Sequence, residues 1–562
     1  MPFSESGRER LPTPPICVSE TGVFVPLGVA VSGLVIRGSA NVRMLRSDAS
    51  APCRLLKIMS LPPLQNEAIL PLVETGNARP AGAPIRTKFL LTRAYDEKQQ
   101  RSPGFPVGIA LIAAYLESQG VFVRVLDLAV TQDWRLALKA EMDQHAFDAV
   151  GVSFIITQTA AAFQIARYLK QNYPGVKTVA GGSFPSCAPL ECLKNPDFDV
   201  ACCGEGEETA LELIRAWDEG RPLDTVEGIA FRREDGQTVQ NPPRPPILDL
   251  DRMPLPAYHL LNLDPYINAE RASDFTGQLH RSMELITSRG CPYQCIYCHT
   301  IFGKKFRGRS ARNVLNDILL LHDKYGVREF VIWDDTFTMD IERAKKICDL
   351  IVEAGLKIHL QLRGGVRVER MDEELMSKLT AAGAETMCVG VESAVPRIQK
   401  LMKKNLDVRK VDTFLDLAEK YRVTTIGLLM LGFPGETMAE VRETIRWTCD
   451  SKLHYTFFSL VTPFPGTALY DMAVREGYYE GNQNYSDMNV MVPHMQLPGL
   501  PPKKLKWLQI QGYLRFYLRP RRLKYLLSSI FTAKDFLRSL ANYIATAAGY
   551  FRKNRAEALE KT

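Results

Sequence analysis

Short apolar runs alternate with longer amphipathic segments along most of the chain. In the second half, six apolar runs of strand length are separated by stretches whose apolar residues recur at the spacing of one helix face. Strands and helices that alternate in this way predict parallel strands joined by crossover helices, and the simplest closure is a partial (β/α)6 barrel. The predicted barrel strands cover residues 282–288, 329–333, 357–362, 386–391, 424–431 and 454–461.

The preceding part of the chain predicts a doubly wound α/β sheet. No G-x-G-x-x-G stretch follows its first strand, so a nicotinamide site is not supported. Gly181 and Gly182 end one strand, at the edge where such sheets bind ligands, although a glycine pair also fits an ordinary tight turn. The predicted elements are strands at 55–60, 121–126, 149–154 and 176–180 and helices at 107–118, 134–143 and 159–171.

Polar or glycine-rich residues follow each predicted barrel strand. Asp334 and Asp335 follow the second strand, Glu392 follows the fourth, and the segment 432–436 follows the fifth. Active sites of parallel barrels lie at this carboxyl edge. One such residue could instead cap a helix, as Asp335 could, but six consecutive polar strand ends favour a functional site.

Three of the 12 cysteines stand close together after the first barrel strand. Cys291, Cys295 and Cys298 have the spacing C-x3-C-x2-C, in a loop with glycine and proline. Zinc usually takes four ligands from paired motifs, whereas three thiolates suit a 4Fe–4S cluster with one iron left open. The alternative is three buried structural cysteines. The even total favours no disulfide framework, because the chain is long and shows no convincing secretory signal.

The segment from about residue 282 to 467 resembles the radical S-adenosylmethionine (SAM) superfamily, through this triplet and the aromatic Tyr297 before its last cysteine. The resemblance implies that the three cysteines hold a 4Fe–4S cluster whose open iron is chelated by SAM. Asp334 and Asp335 take the place of the superfamily's usual Gly-Gly-Glu, whose glycines are absent here. The SAM contacts that the resemblance implies are Tyr297, Asp334, Asp335, Glu392, Gly432 and Glu436.

The first half resembles the cobalamin-binding domain that precedes the radical SAM barrel in one large subfamily. The matching stretches are residues 103–108, 148–153, 181–185 and 204–207. The chain lacks the Asp-x-His-x-x-Gly stretch, and His145 is the one histidine between residues 53 and 220, so cobalt has no obvious protein ligand. The residues that the resemblance places near the corrin or its nucleotide tail are Ser153, Thr157, Gly181 and Gly182.

The distribution of charge along the chain adds a further prediction only at the C-terminus. The whole chain has a net charge of +7, with 46% hydrophobic and 24% charged residues, which excludes a disordered chain and a polytopic membrane protein. From Lys503 onward it holds 14 Lys and Arg against 3 Asp and Glu, so the rest is mildly acidic. A helical cap with a solvated basic face is favoured over a membrane-surface element for this tail, and no nucleic-acid motif accompanies the charge.

Together these features predict an α/β protein: a doubly wound Rossmann-like cobalamin-binding domain, a partial (β/α)6 radical SAM barrel and a helical tail. The expected activity is methyl transfer to an unactivated carbon, in which one SAM methylates cobalamin and another yields the 5′-deoxyadenosyl radical. Oxidative cyclisation and a non-catalytic cofactor-binding module are the alternatives. The expected divisions are a disordered or misassigned leader at 1–52, the cobalamin domain at 53–220, a linker at 221–278, the barrel at 279–475 and the basic region at 476–562.

The expected partners follow from the same resemblance. They are a small-molecule or lipid substrate and a low-potential electron donor such as ferredoxin or flavodoxin, with no nucleic acid. We expect a cytoplasmic protein, and the basic tail leaves membrane association open.

Overall fold

The computed structural model describes residues 85–95, 104–268, 281–299, 301–481 and 484–523. The expected leader at 1–52, the strand predicted at 55–60 and the chain after residue 523 lie outside these residues. Two sheets follow one another along the described part.

The N-terminal sheet has seven strands: β1 (Lys88–Arg93), β2 (Phe122–Asp127), β3 (Ala149–Ser153), β4 (Lys177–Gly181), β5 (Val200–Cys202), β6 (Ile229–Arg232) and β7 (Thr238–Gln240). Their order is β2-β1-β3-β4-β5-β6-β7, with β1 to β5 parallel and β6 and β7 antiparallel. Strand β1, which pairs with two neighbours, was not predicted from the sequence. Strands β6 and β7 fall in the segment expected to be a linker, although Asp235-Gly236 is a typical hairpin turn.

Helices cover both faces of this sheet, as the doubly wound prediction requires. In β1, Leu90 points to one apolar layer, while Phe89 and Leu91 point to the other, because successive strand residues face opposite sides. The helices of this part are α1 (Val107–Ser118), α2 (Trp134–His145), α3 (Thr159–Asn172), α4 (Ser183–Cys187), α5 (Pro189–Cys192) and α6 (Gly206–Glu219). The apolar layer that contains Leu90 includes α2 and α3, and the layer that contains Phe89 and Leu91 includes α1 and α6.

The second sheet is the predicted partial barrel. Its strands are β8 (Ser282–Leu285), β11 (Glu329–Ile332), β12 (His359–Val366), β13 (Ala384–Glu392), β14 (Thr424–Leu431) and β15 (Tyr455–Leu460), and the short strands β9 (Ser288–Arg289) and β10 (Arg307–Gly308) lie between β8 and β11 in sequence. The six long strands are paired in chain order, all parallel, whereas β9 and β10 form a separate antiparallel pair.

Crossover helices join the barrel strands, and each long crossover begins at a polar cap. The crossover helices are α8 (Ala311–Tyr325), α9 (Ile341–Glu353), α10 (Glu373–Ala381), α11 (Pro396–Leu401), α12 (Val408–Lys420) and α13 (Met438–Asp450). The short α7 (Asp264–Ile267) precedes β8, whereas α14 (Ala468–Arg475) and α15 (Pro502–Tyr517) follow β15. Asp340 caps α9 by accepting a hydrogen bond from the backbone N–H of Arg343 at 3.0 Å. Asp335 is therefore not the cap of this helix.

The last helix, α15, covers the barrel's edge strand β15. Gln509 donates to the Phe458 carbonyl at 2.6 Å, and the Tyr513 hydroxyl accepts from the Phe458 N–H at 3.0 Å. Phe516 is fully buried behind them. The described part of the basic tail is therefore a helical cap on the barrel. No helix in that described part is long and apolar enough to cross a bilayer.

Candidate active site

The cysteine loop (residues 290–299 and 301–306) leaves β9 and returns in β10, so its two ends are held by one strand pair. Gly290 opens it with φ of +83°, and a side chain there would place its Cβ 2.3 Å from the Lys305 carbonyl oxygen. This close approach requires glycine. Within the loop, Ile296 donates its N–H to the Met402 carbonyl at 3.1 Å and accepts from the Leu469 N–H at 2.9 Å. The loop is thus fastened to the barrel rim.

The three cysteines of this loop lie near one another and near strand two of the barrel. The sulfur of Cys291 is 3.9 Å from the Thr336 hydroxyl. Burial, and then the charges of Cys295, Asp335 and Cys291, raise the pKa of the Cys298 thiol to about 12.

Three thiolate charges close together would be stabilised by a bound cation. Among the described residues, no three Cys, His, Asp or Glu side chains already converge on a single metal position. Three thiols on one short loop are nevertheless the donor type that an iron–sulfur cluster needs.

Tyr297 and Glu392 meet beside the cysteine loop. The Tyr297 hydroxyl donates to Glu392 Oε1 at 3.0 Å, and Lys404 Nζ donates to the same oxygen at 3.0 Å. Burial, followed by the charge of Glu392, raises the pKa of Tyr297 well above its usual range. Glu392 Oε2 has no hydrogen-bond partner in the described part, and Glu392 has φ of +61°, rare for a residue with a side chain. An unpartnered buried oxygen and a rare backbone conformation at one residue make Glu392 a candidate ligand contact.

The two aspartates after strand two have different surroundings. Asp334 is 1% exposed and accepts three hydrogen bonds, from the N–H and hydroxyl of Thr287 at 2.6 and 2.5 Å and from the Ser288 hydroxyl at 2.6 Å. Desolvation and, second to it, the charge of Asp334 raise the pKa of Asp335. A hydrogen bond from the backbone N–H of Gly290 partly offsets this rise. Asp334 is therefore committed to the local fold, whereas Asp335 retains the capacity to bind a ligand.

Gly432 and Glu436 form a closed turn after β14. Glu436 Oε2 accepts the backbone N–H groups of Gly432 and Phe433 at 2.7 and 3.0 Å. A Cβ on Gly432 would lie 2.4 Å from a methyl carbon of Leu505 on α15, so this glycine lets the helix approach. Burial raises the pKa of Glu436 to about 7. Glu436 Oε1 has no partner among the described residues.

The carboxyl edge of the N-terminal sheet brings together the residues expected to contact cobalamin. Ser153 and Gly181 are register partners at the ends of β3 and β4, and Thr157 lies in the turn before α3. Gly182 has φ of +96°, and a Cβ there would lie 2.6 Å from the Phe154 carbonyl oxygen. A Cβ on Gly181, in contrast, would meet nothing within 4 Å. This edge offers open space beside bare backbone, which fits a large flat ligand.

His145 lies at the opposite edge of this sheet. Its carbonyl accepts from the Lys88 side chain at 3.1 Å, and its ring is 5.7 Å from that of Phe122. Lys88 and Phe122 are the first residues of β1 and β2. His145 is therefore too far along the strands to reach a ligand at the carboxyl edge.

The two carboxyl edges pack against each other. Arg289 Nη2 donates to Glu207 Oε1 of α6 at 2.5 Å. On the far side of the barrel mouth, Gly466 packs so closely on Cys187 of α4 that a Cβ would lie 2.6 Å from the Cys187 carbonyl oxygen. The base of the cysteine loop thus lies against the start of α6, which follows the carboxyl edge of the N-terminal sheet. This edge carries Gly181 and Gly182 and is called the glycine-lined edge below.

Several residues of this site were not predicted from the sequence. Lys404 neutralises Glu392, and His299 donates from Nε2 to the Pro465 carbonyl at 3.1 Å, while burial lowers the pKa of its ring. His299 directly follows Cys298, a position that could have drawn attention. Lys404 carries no spacing signal, because it lies 12 residues after Glu392, in the turn between α11 and α12.

Comparisons with known proteins agree with the class that this fold and loop define, a barrel enzyme with an iron–sulfur loop beside a cobalamin-type domain. The family model "Radical SAM superfamily" matches residues 285–448, and the model "B12 binding domain" matches residues 101–214. An uncharacterised methyltransferase of Pyrococcus horikoshii is 30% identical, over 77% of this chain and 92% of that protein. The chain therefore belongs to the cobalamin-dependent radical SAM methyltransferase family, whose cofactors are a 4Fe–4S cluster, SAM and cobalamin.

Other relatives include both methyltransferases and cyclases. The cytidylyl-2-hydroxyethylphosphonate methyltransferase of Streptomyces wedmorensis is 28% identical over 70% of this chain and 83% of its own length. The anaerobic magnesium-protoporphyrin IX monomethyl ester cyclase of Rubrivivax gelatinosus is 24% identical over 75% of each chain. The cobalamin-dependent SAM radical enzyme OxsB shares the fold, with a TM-score of 0.63 over 84% of this chain and 75% of its own, at 17% identity.

Proposed function

We propose that the protein methylates an unactivated carbon of a small molecule, between the cysteine loop and the glycine-lined edge of the N-terminal sheet. The observation that carries this proposal is the direct contact of the two edges, in which Glu207 binds Arg289 two residues before Cys291. Two cofactor sites in contact suit a reaction that uses both cofactors. When bound, the cluster supplies the electron that cleaves SAM, and cobalamin supplies the methyl group.

The residues of the barrel edge have distinct proposed roles. Cys291, Cys295 and Cys298 hold the cluster. Glu392, paired with Lys404 and oriented by Tyr297, offers its free oxygen to a cationic group of SAM, and Asp335 offers a second carboxylate. Asp334 holds the start of the cysteine loop in place, and the turn at 432–436 shapes the rim under α15.

At the other edge, Gly181 and Gly182 let the corrin approach the backbone, and the hydroxyls of Ser153 and Thr157 bind polar groups of its tail. We assign residues 53–220 to this cobalamin-binding domain, together with the β6–β7 hairpin from the 221–278 linker. The barrel at 279–475 then carries the radical chemistry, and 476–562 forms the basic C-terminal region.

Anaerobic reconstitution tests this function. The full chain is loaded with iron, sulfide and hydroxocobalamin, reduced with titanium(III) citrate and given SAM. We expect 5′-deoxyadenosine from the wild type and none from C295A, which should still retain cobalamin. C348A is the matched control, since Cys348 is buried in α9 away from the loop and should leave the product unchanged. A wild type that forms the cluster but no 5′-deoxyadenosine would contradict the proposal.

An external donor supplies the electron in this proposal. We propose a ferredoxin or flavodoxin, because reductive cleavage of a sulfonium needs a low-potential source. Replacing titanium citrate with reduced flavodoxin should sustain 5′-deoxyadenosine formation. No product with either carrier, while titanium citrate works, would contradict this partner.

Oxidative cyclisation is the second candidate activity, favoured only by the cyclase relatives. An oxidative cyclisation removes hydrogen atoms from the substrate and adds no carbon atom to it. Mass spectrometry with methyl-labelled SAM separates the two, because only methylation transfers the label to the product.

Membrane contact through the C-terminal region is a further proposal. Trp507 of α15 and Leu518, directly after this helix, are 51% and 68% exposed, and the helix also borders an arginine-lined groove of about 230 Å³. Apolar side chains next to clustered arginines suit an anionic membrane surface and, with it, a lipid substrate. The arginines of the groove are Arg442, Arg446, Arg515 and Arg519.

Vesicle sedimentation tests this contact. The wild type should sediment with phosphatidylserine-containing vesicles but not with pure phosphatidylcholine. W507S/L518S should lose this binding, whereas the control L136S, at an exposed leucine of α2, should keep it. Equal sedimentation of wild type and W507S/L518S would contradict the proposal.

A further inference from the structure

The base of the cysteine loop is built from two arginines. Arg289 and Arg307 are opposite each other in the antiparallel β9–β10 pair. They are 6% and 4% exposed, so neither guanidinium is solvated. Because all three loop cysteines lie between these two residues in sequence, the position of the arginines fixes where the loop starts and ends.

Both arginines are neutralised from the other domain. Arg289 donates to Glu207 at 2.5 Å and lies 3.4 Å from Glu205, while Arg307 lies 2.5 Å from Glu205. Glu205 and Glu207 stand at the start of α6, directly after the sheet edge that carries Cys202. The side chains of both glutamates are about as buried as the arginines, at 6% and 5% exposure. The four residues form a neutral, buried cluster that spans the two domains.

Further contacts fix the orientation of this cluster. Arg307 donates to the carbonyls of Ile247 and Phe302 at 2.6 and 2.7 Å, and the Arg289 guanidinium lies 5.4 Å from the Phe302 ring centre. Glu205 also accepts the Ile247 N–H at 3.0 Å. A buried ion pair adds little net stability over apolar packing, but the planar guanidinium imposes direction. The arrangement is better suited to fixing a geometry than to stabilising the fold.

We infer that Glu205, Glu207, Arg289 and Arg307 act as an interdomain clasp, which sets the position of the cysteine loop relative to the glycine-lined edge. They are positioning residues, because none of them is among the groups that would touch a cofactor. The inference rests on the proposed function, since the spacing that the clasp controls is the one between the cluster and cobalamin.

The test measures that spacing directly. In the full chain loaded with both cofactors, pulsed electron paramagnetic resonance reports the dipolar coupling between the reduced cluster and cob(II)alamin. R289Q and E207Q should each broaden the distance distribution. R309Q is the matched control, because it breaks the buried Arg309–Asp317 pair of 2.8 Å, which lies within the barrel. A distribution in R289Q as narrow as in the wild type would overturn the inference.

The double variant E207Q/R289Q separates positioning from stability. Without an unpaired buried charge, its melting temperature should recover relative to either single variant, yet its distance distribution should remain broad. If the melting temperature and the narrow distance distribution were both recovered, the ion pair would act through stability alone, and the inference of a clasp would be overturned.

Amide hydrogen exchange gives a readout that needs no cofactor. In the apoprotein, R289Q should exchange the loop amides about tenfold faster than R309Q does. Equal exchange in the two variants would overturn the clasp. A wild type that assembles no cluster would instead contradict the proposed function, and the exchange result would still decide the clasp.

Discussion

The two carboxyl edges that face each other present different chemistry. The barrel edge presents buried carboxylates with unpartnered oxygens, on Glu392 and Glu436. The edge of the N-terminal sheet presents backbone and hydroxyls, at Gly181, Gly182 and Ser153. Directed charges suit a small ionic ligand such as SAM, whereas bare backbone suits a broad one such as a corrin. The barrel edge should therefore respond most to changes of charge, and the sheet edge to changes of volume.

The largest effect is expected from added volume at Gly182. Its φ of +96° and the 2.6 Å approach of the Phe154 carbonyl leave no room for a side chain. G182V should destabilise the protein by roughly 3 kcal/mol and abolish cobalamin retention. The measurements are thermal unfolding and the absorbance of bound cobalamin after gel filtration.

Gly181 is the matched control for that experiment, because a Cβ there would meet no protein atom within 4 Å. G181A should keep the wild-type melting temperature and weaken cobalamin binding. If G181A bound cobalamin normally, the corrin would not lie against this glycine, and the assignment of the edge would fail.

Charge at the barrel edge should give the protein a pH-dependent stability. Burial raises the pKa of Glu436 from 4.5 to about 7, so the folded state holds this proton more tightly than the unfolded state. The resulting stabilisation is complete below pH 4.5 and is lost as the pH rises through 7, a change of about 3 kcal/mol. Melting temperatures of the wild type should fall from pH 5 to 8 relative to E436Q. If the melting temperatures of the two proteins changed equally from pH 5 to 8, Glu436 would not titrate in this pH range.

The two neighbouring aspartates are expected to have different roles, Asp334 in stability and Asp335 in ligand binding. D334N should cost about 2 kcal/mol, because Asp334 is a buried acceptor of three hydrogen bonds. D335N should change the melting temperature little and weaken SAM binding instead. Calorimetry of unfolding and equilibrium dialysis with SAM check the two effects. A loss of stability in D335N equal to that in D334N would contradict the division.

The regular elements could be predicted from the sequence because their signal is local. The helix 107–118 has its predicted bounds, and the strand 424–431 does as well. The strand β1 was missed, since the polar stretch around its short apolar run gives no hint of its two parallel partners. Its selection depends on contacts with residues 30 to 60 positions away.

The site was predictable as far as strand ends and cysteine spacing determine it. The sequence could not distinguish Asp334 from Asp335, because their roles depend on which one faces Thr287. The clasp was hidden for a related reason: Glu207 and Arg289 are 82 residues apart, and no spacing rule connects them. Residue pairs that form only when two domains pack together produce no periodic pattern in the sequence.

The smallest predicted effect concerns Glu392, where charge and geometry can be separated. E392Q keeps the side-chain shape but leaves the 7%-exposed Lys404 side chain without its counter-charge. We expect SAM to bind about tenfold more weakly, because the free oxygen of the carboxylate no longer meets a cationic group. Y297F removes only the hydroxyl that orients Glu392 and should have a smaller effect of the same sign. If Y297F weakened SAM binding more than E392Q, the Tyr297 hydroxyl would matter more than the carboxylate, and the barrel edge would not be the charge-dependent one.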